Sequence, residues 1–190
     1  MDIVDDARAA LAGPGHPPHS PGIRVPAGPG LYAIHADAAV WSQLGLGEPP
    51  DDRPIYVGKA ERSLANRDLG THFGTGRTGQ STLRRSLAGL LATELALQAV
   101  PRNLDAPAYY ASFAIEPAGD QRLTDWMLTN LRLATWSCPA STVLAPVETA
   151  VLRLLVPPLN LSKVSTPWRR QVSTARQALA RQARDWRPTP

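Results

Sequence analysis

One cysteine in 190 residues, Cys138, rules out an internal disulfide and supplies too few thiols for a cysteine-ligated metal site. A packing role is expected for it. No apolar run approaches the ~18 residues that a membrane-spanning helix requires. The acidic start, with Asp2, Asp5 and Asp6, is not the basic start of a signal peptide. The sequence therefore reads as cytoplasmic, with no membrane partner. It also lacks the low hydrophobicity of a disordered chain, since 43% of residues are hydrophobic and 19% charged. No internal repeat shows at periods of ~20 to 50 residues, which excludes solenoid arrays.

The net charge is +4, a modest excess that suits a polyanionic partner. Its distribution says more than its total. From Lys163 onward seven basic residues face only Asp185, so the basicity belongs to the end of the chain. Three parts are read: an N-terminal arm over residues 1–28, a domain over 29–162, and a basic C-terminal extension over 163–190. In the arm, residues 1–12 read as a short helix. The stretch between Gly13 and Gly30 reads as a linker or surface wrap, because Pro14, Pro17, Pro18, Pro21, Pro26 and Pro29 withhold backbone donors. His16 and His19 have metal-like spacing but no further ligand nearby, so they read as solvated loop. The extension shows no large apolar face and one amphiphilic, arginine-bearing helix over 171–186.

Within the domain, residues 30–36 and 53–58 read as strands joined by a long loop with room for a helical turn. A short helix is expected over 63–73, then a flexible basic loop. Ser81 is placed to cap a helix over 82–98, where Leu83, Leu87, Leu90, Leu91 and Leu95 recur at helical spacing. Residues 108–116 read as a third strand and 123–131 as helix, while 132–137 has an ambiguous period. Pro146 opens a last helix through Val156, which Pro157 and Pro158 stop.

That last helix carries an oddity. Glu148 shares a face with Val151, Leu152 and Leu155, three, four and seven residues onward, so a carboxylate points to an apolar side and needs a cation. Its competing reading is a glutamate favoured by the helix macrodipole. The two strands add Tyr32 and Tyr56, each beside a glycine, and buried tyrosine hydroxyls require partners.

Gly30-Leu31-Tyr32 with Tyr56-Val57-Gly58-Lys59 resembles the paired motifs that name the GIY-YIG nuclease family. Asn66-Arg67 falls where that family places a phosphate-binding arginine. Glu148, twelve residues before Asn160 in a Pro-Leu-Asn ending, resembles the family's metal-binding glutamate. The resemblance spans roughly residues 29–161, with a longer spacing between the tyrosine motifs than is usual. Many members carry a His or Tyr one helical turn after the arginine; that position is Thr71 here, and His72 lies five residues on.

The resemblance implies an α/β fold with a small three-stranded central sheet flanked by helices. It also implies a Mg2+- or Mn2+-dependent endonuclease acting on nucleic acid, DNA being expected. Tyr32 or Tyr56 would help to activate water, beside the Lys59 ammonium. Arg67 would hold phosphate oxygens, Glu148 would anchor the metal, and Asn160 would orient the glutamate or its waters, with His72 a further candidate. Arg77, Arg84, Arg85, Arg169 and Arg170 are candidate phosphate contacts outside the site. A binding module that has kept the fold without catalysis is the rival reading. A dimeric, sequence-specific restriction enzyme is a third.

Overall fold

The computed structural model describes residues 2–18, 20, 25–65, 70–103 and 107–187. Strand β1 (Gly30–His35) is the middle of a three-stranded antiparallel sheet, between β2 (Tyr56–Ala60) and β5 (Arg132–Ser137). Every residue of β1 is buried, so both faces of the sheet are covered. Side chains alternate accordingly. Leu31, Ala33, Val57, Ala134 and Trp136 join the apolar cluster that includes α1 (Ile3–Leu11) and α5 (Leu144–Leu155). Tyr32, Ile34, Tyr56 and Leu133 join the larger cluster on the other side, with α2 (Ala38–Gln43), α3 (Thr82–Leu90), α4 (Pro117–Asn130) and α6 (Arg169–Asp185).

The expected strands 30–36 and 53–58 are present as β1 and β2, and the long loop between them carries α2. Residues 132–137, ambiguous by period, complete the sheet as β5. Residues 108–116 do not: Pro107–Ser112 is a 3-10 turn, and only Ala114–Ile115 is extended, as β4 paired with β3 (Ala99–Val100). Tyr109 and Tyr110 give that segment strand propensity, yet Tyr109 points to solvent and Tyr110 lies under the Arg184 guanidinium at 5.4 Å. The helix expected over 82–98 ends at Leu90 and continues as irregular turns that close on Ala96, whose φ is 47°. Ser81 is its N-cap, with Oγ accepting the Arg84 N–H.

The C-terminal end departs from expectation, while the helix expected over 1–12 is present as α1. The segment after Lys163 has an apolar face: Val172, Leu179 and Ala183 of α6 are buried in the larger cluster. Trp168 packs edge-on against Trp41, centroids 5.5 Å apart, and its indole N–H donates to the Leu46 carbonyl. At the other end Ala7 and Leu11 of α1 are buried, and the Trp136 indole donates to Asp6. His16 exchanges backbone hydrogen bonds with Leu133, so the proline-rich stretch adds a bridge to the free edge of β5. The other half of the His16 and His19 pair lies outside the described residues.

Candidate active site

Tyr32 stands opposite Gly58 across the β1–β2 ladder. A Cβ on residue 58 would sit 2.3 Å from Tyr32 Oη, so the missing side chain is what allows the phenol to lie across β2. That position buries the ring and demands a polar partner for its hydroxyl. His72 supplies one, with Nε2 2.5 Å from Tyr32 Oη. His72 is itself 0% exposed, and its Nδ1 lies 2.7 Å from Ser81 Oγ, the oxygen that caps α3. Phenol, imidazole and serine hydroxyl thus form a continuous buried chain ending on a helix N-terminus. Tyr56 lies alongside, its ring centroid 6.1 Å from both Tyr32 and His72, and its hydroxyl is 3.0 Å from Thr82 Oγ1.

Gly58→Ala is expected to destabilise the protein by about 1–3 kcal/mol, because either Tyr32 or the strand must move. Thermal melting reads this. A variant that melts with the parent would show that the Tyr32 position is not constrained by residue 58.

Lys59 alternates to the opposite face from Gly58, toward α5. Its ammonium is 2.7 Å from Glu61 Oε1 and 4.0 Å from Glu148 Oε2. The hydrogen bond to Glu61, then the charge of Glu148, hold the Lys59 pKa above its ordinary value. It is therefore a fixed cation rather than a base. Glu148 is buried on α5 beside Val147, Val151 and Leu152, as its spacing implied, and its second cation is Lys163 at 2.6 Å. Lys163 adopts φ of 66°, an uncommon conformation for a residue with a side chain. Sequence reading missed Lys163, because nothing local links it to a residue fifteen positions earlier. A cleft of about 700 Å³ is lined by Tyr32, Tyr56, Gly58, Lys59, Glu148 and Asn160, so the two faces of β2 contribute to one opening.

Asn160 is tied to the backbone of β2. Its Oδ1 accepts the Val57 N–H at 2.9 Å and its Nδ2 donates to the Val57 carbonyl at 2.8 Å. It satisfies the outer edge of β2, a backbone that would otherwise be left unpaired. Arg67 and Asn66 lie outside the described residues.

The outlying arginines divide. Arg84 is 0% exposed and bonded to Asp120 at 2.9 Å, to Thr78 and Thr124 hydroxyls and to the His72 carbonyl. It holds α3, α4 and the 74–80 loop together, and it is not available to a phosphate. Its spacing shows why: Arg84, Leu87, Ala88 and Leu91 share one helical face. Arg77, Arg169 and Arg170 are exposed; Arg77 reaches Gln80 and Arg169 donates to the Leu161 carbonyl. Arg85 is 8% exposed and donates to the Gly79 carbonyl.

Among the described residues no three His, Cys, Asp or Glu side chains gather as a cage for a metal ion. A zinc-type site is not formed there. One buried carboxylate, Glu148, with the exposed Glu61 across Lys59, could instead serve an oxygen-preferring ion that keeps most of its waters. Mg2+ and Mn2+ fit that description.

The family model for the GIY-YIG catalytic domain matches residues 48–179. That range includes Tyr56, Lys59, Arg67, His72, Glu148 and Asn160, begins after β1 and runs into α6. No curated protein and no solved structure shows significant similarity to the chain.

Proposed function

The chain belongs to the GIY-YIG catalytic domain family, a nuclease-type domain, and on that premise we propose that it hydrolyses phosphodiester bonds in DNA with the help of a divalent cation. The observation that carries this reading is the Tyr32–His72–Ser81 chain opening onto the same cleft as Glu148.

Two tyrosines are candidates for the proton acceptor, and their partners separate them. A phenol with a usual pKa near ~10 is a poor base unless its proton can move on or its anion is stabilised. Among the described residues the Tyr56 hydroxyl bonds to the Thr82 hydroxyl, which cannot take its proton near neutrality, although the charges of Arg85 and Arg176 act on it. Tyr32 meets an imidazole. With His72 Nδ1–H donating to Ser81 Oγ, Nε2 is left to accept the Tyr32 proton, and Tyr32 Oη can then take a proton from the attacking water. Lys59 contributes a positive field in the cleft that favours the phenolate and the phosphate alike. Arg67 binds phosphate oxygens in the role the family resemblance implies, with a bidentate fork that matches their geometry.

Glu148 would hold the cation, with Glu61 as a second carboxylate within reach; the ion supplies charge stabilisation at the phosphate. Lys163 and Lys59 neutralise Glu148 meanwhile and must yield the carboxylate to the ion. DNA is the substrate the family resemblance implies, and the exposed Arg77, Arg169 and Arg170 suit contacts to a nucleic-acid backbone.

Tyr32→Phe tests the proton path. It is expected to lower the cleavage rate by about 10²- to 10⁴-fold, the range for loss of a general base, with little change in substrate affinity. Tyr56→Phe should lose less. If Tyr56→Phe is the more damaged enzyme, the proton acceptor has been assigned to the wrong tyrosine.

A further inference from the structure

At the junction of α3, α6 and the 79–80 turn stand three arginines that have no carboxylate partner among the described residues. Arg85 is 8% exposed, and its Nε is buried with no hydrogen-bond partner, while Nη1 is tied to the Gly79 carbonyl at 2.8 Å. Arg102 lies over the same glycine: a Cβ on residue 79 would meet its Cγ and Cδ at 2.9 Å. Arg176 comes from α6, whose backbone presses so closely on α3 that a Cβ on Gly89 would lie 3.0 Å from the Arg176 nitrogen. Arg176 falls between Val172 and Leu179, four residues after one and three before the other, in the buried stripe of that helix.

Among the described residues none of these three guanidinium groups forms an ion pair, whereas the neighbouring Arg84 takes Asp120. A buried cation without a partner is costly, and two more beside it add repulsion. Burial, then the charges of Arg176 and Arg102, push the Arg85 pKa down to about 10. Arg176 is likewise lowered by burial and feels the Tyr56 side chain. Packing alone offers no reason to place an arginine at position 176, where methionine or leucine would suit the stripe. An anion offers one.

We propose that Arg85, Arg102 and Arg176 form a second phosphate subsite, near Tyr56, that binds a non-scissile backbone phosphate of the nucleic acid. Thr82, which holds the Tyr56 hydroxyl, precedes Arg85 by three residues on α3, so the subsite continues from the cleft along one helix face. Three guanidinium groups, two of which act on Arg85 through their charge, offer more donors than a single phosphate needs, and their mutual repulsion is relieved when it binds. This inference rests on the nuclease reading for its choice of ligand, but it is tested without cleavage.

Parent, Arg176→Met and Arg102→Gln are compared for binding of a short labelled duplex in chelator across a salt series, and for melting with and without inorganic phosphate. Arg176→Met removes an unpaired charge from an apolar stripe, so it should melt at or above the parent in phosphate-free buffer. Its duplex affinity should fall about tenfold or more, as for a lost charged hydrogen bond. Each variant should have a shallower salt dependence, by about 0.9 in log–log slope for a lost duplex contact. Phosphate should raise the parent's melting temperature more than that of either variant. Parental affinity and slope in both variants overturn the subsite, even if the parent cuts DNA. A lowered melting temperature for Arg176→Met with Arg102→Gln binding as the parent does makes Arg176 a packing residue and overturns it also. If the parent cuts nothing while both variants bind less tightly, the subsite stands and the nuclease reading falls.

Discussion

Truncation after Ser162 is expected to abolish cooperative folding, although it leaves every named residue of the cleft except Lys163 in place. The removed segment contributes Val172 and Leu179, each worth about 1.5–3 kcal/mol of burial. It also contributes Ala183 and the Trp168 indole seated on Trp41 and the Leu46 carbonyl. Gln182 satisfies the Ala99 N–H, and Gln171 donates to the Gly45 carbonyl, so two loops lose hydrogen bonds as well. The far side of the loss is larger: Leu83, Leu87 and Ala88 of α3 belong to the same cluster and lose their cover. Against a total stability of about 5–15 kcal/mol, the deficit is decisive. Circular dichroism and melting of the truncated chain read it. A sharp transition within a few degrees of the parent would show that α6 is dispensable.

The reason α6 reads poorly from sequence lies in its composition. Its buried stripe is Val172, Leu179 and Ala183, with Arg176 filling the remaining position, and the other faces are arginine, glutamine and small residues. An apolar stripe broken by a charge resembles a solvated helix until the unpaired charge is itself taken as a signal. The opposite case is Glu148, where a single carboxylate on an otherwise apolar face was legible because its neighbours at three, four and seven residues are all aliphatic. β1, β2 and the Ser81 cap were legible for similar reasons, each resting on contacts or propensities within a few residues. Asn160, bonded to Val57 across more than a hundred residues, and Lys163, bonded to Glu148 through a left-handed backbone, depend on tertiary placement that no local pattern encodes. Tandem Arg84 and Arg85 look alike in sequence, and one residue of helix rotation makes one an internal tie and leaves the other with a buried, unbonded Nε.

Glu148→Ala is expected to eliminate divalent-dependent cleavage while leaving the fold nearly untouched. The carboxylate pairs with two lysines that are partly exposed, 27% and 38% at the side chain, so the ion pairs contribute about 0–1 kcal/mol to stability. Its contribution to the reaction is of another size. A cation at the phosphate supplies several kcal/mol of charge stabilisation, so losing its anchor lowers the rate by about 10²- to 10⁴-fold. Melting within a few degrees of the parent separates this from unfolding. Glu148→Gln, which keeps volume and hydrogen bonding but loses the charge, should be as inactive as Glu148→Ala.

Whether the purified protein cuts nucleic acid at all is the measurement that bears most directly on the proposed chemistry. Plasmid, branched DNA and structured RNA are incubated with the parent and with Glu148→Ala, in Mg2+ or Mn2+ and in chelator. Cleavage of DNA by the parent in the presence of the cation, absent in chelator and absent from Glu148→Ala, is the predicted result. Intact substrates throughout, or cleavage by Glu148→Ala at the parental rate, would contradict it.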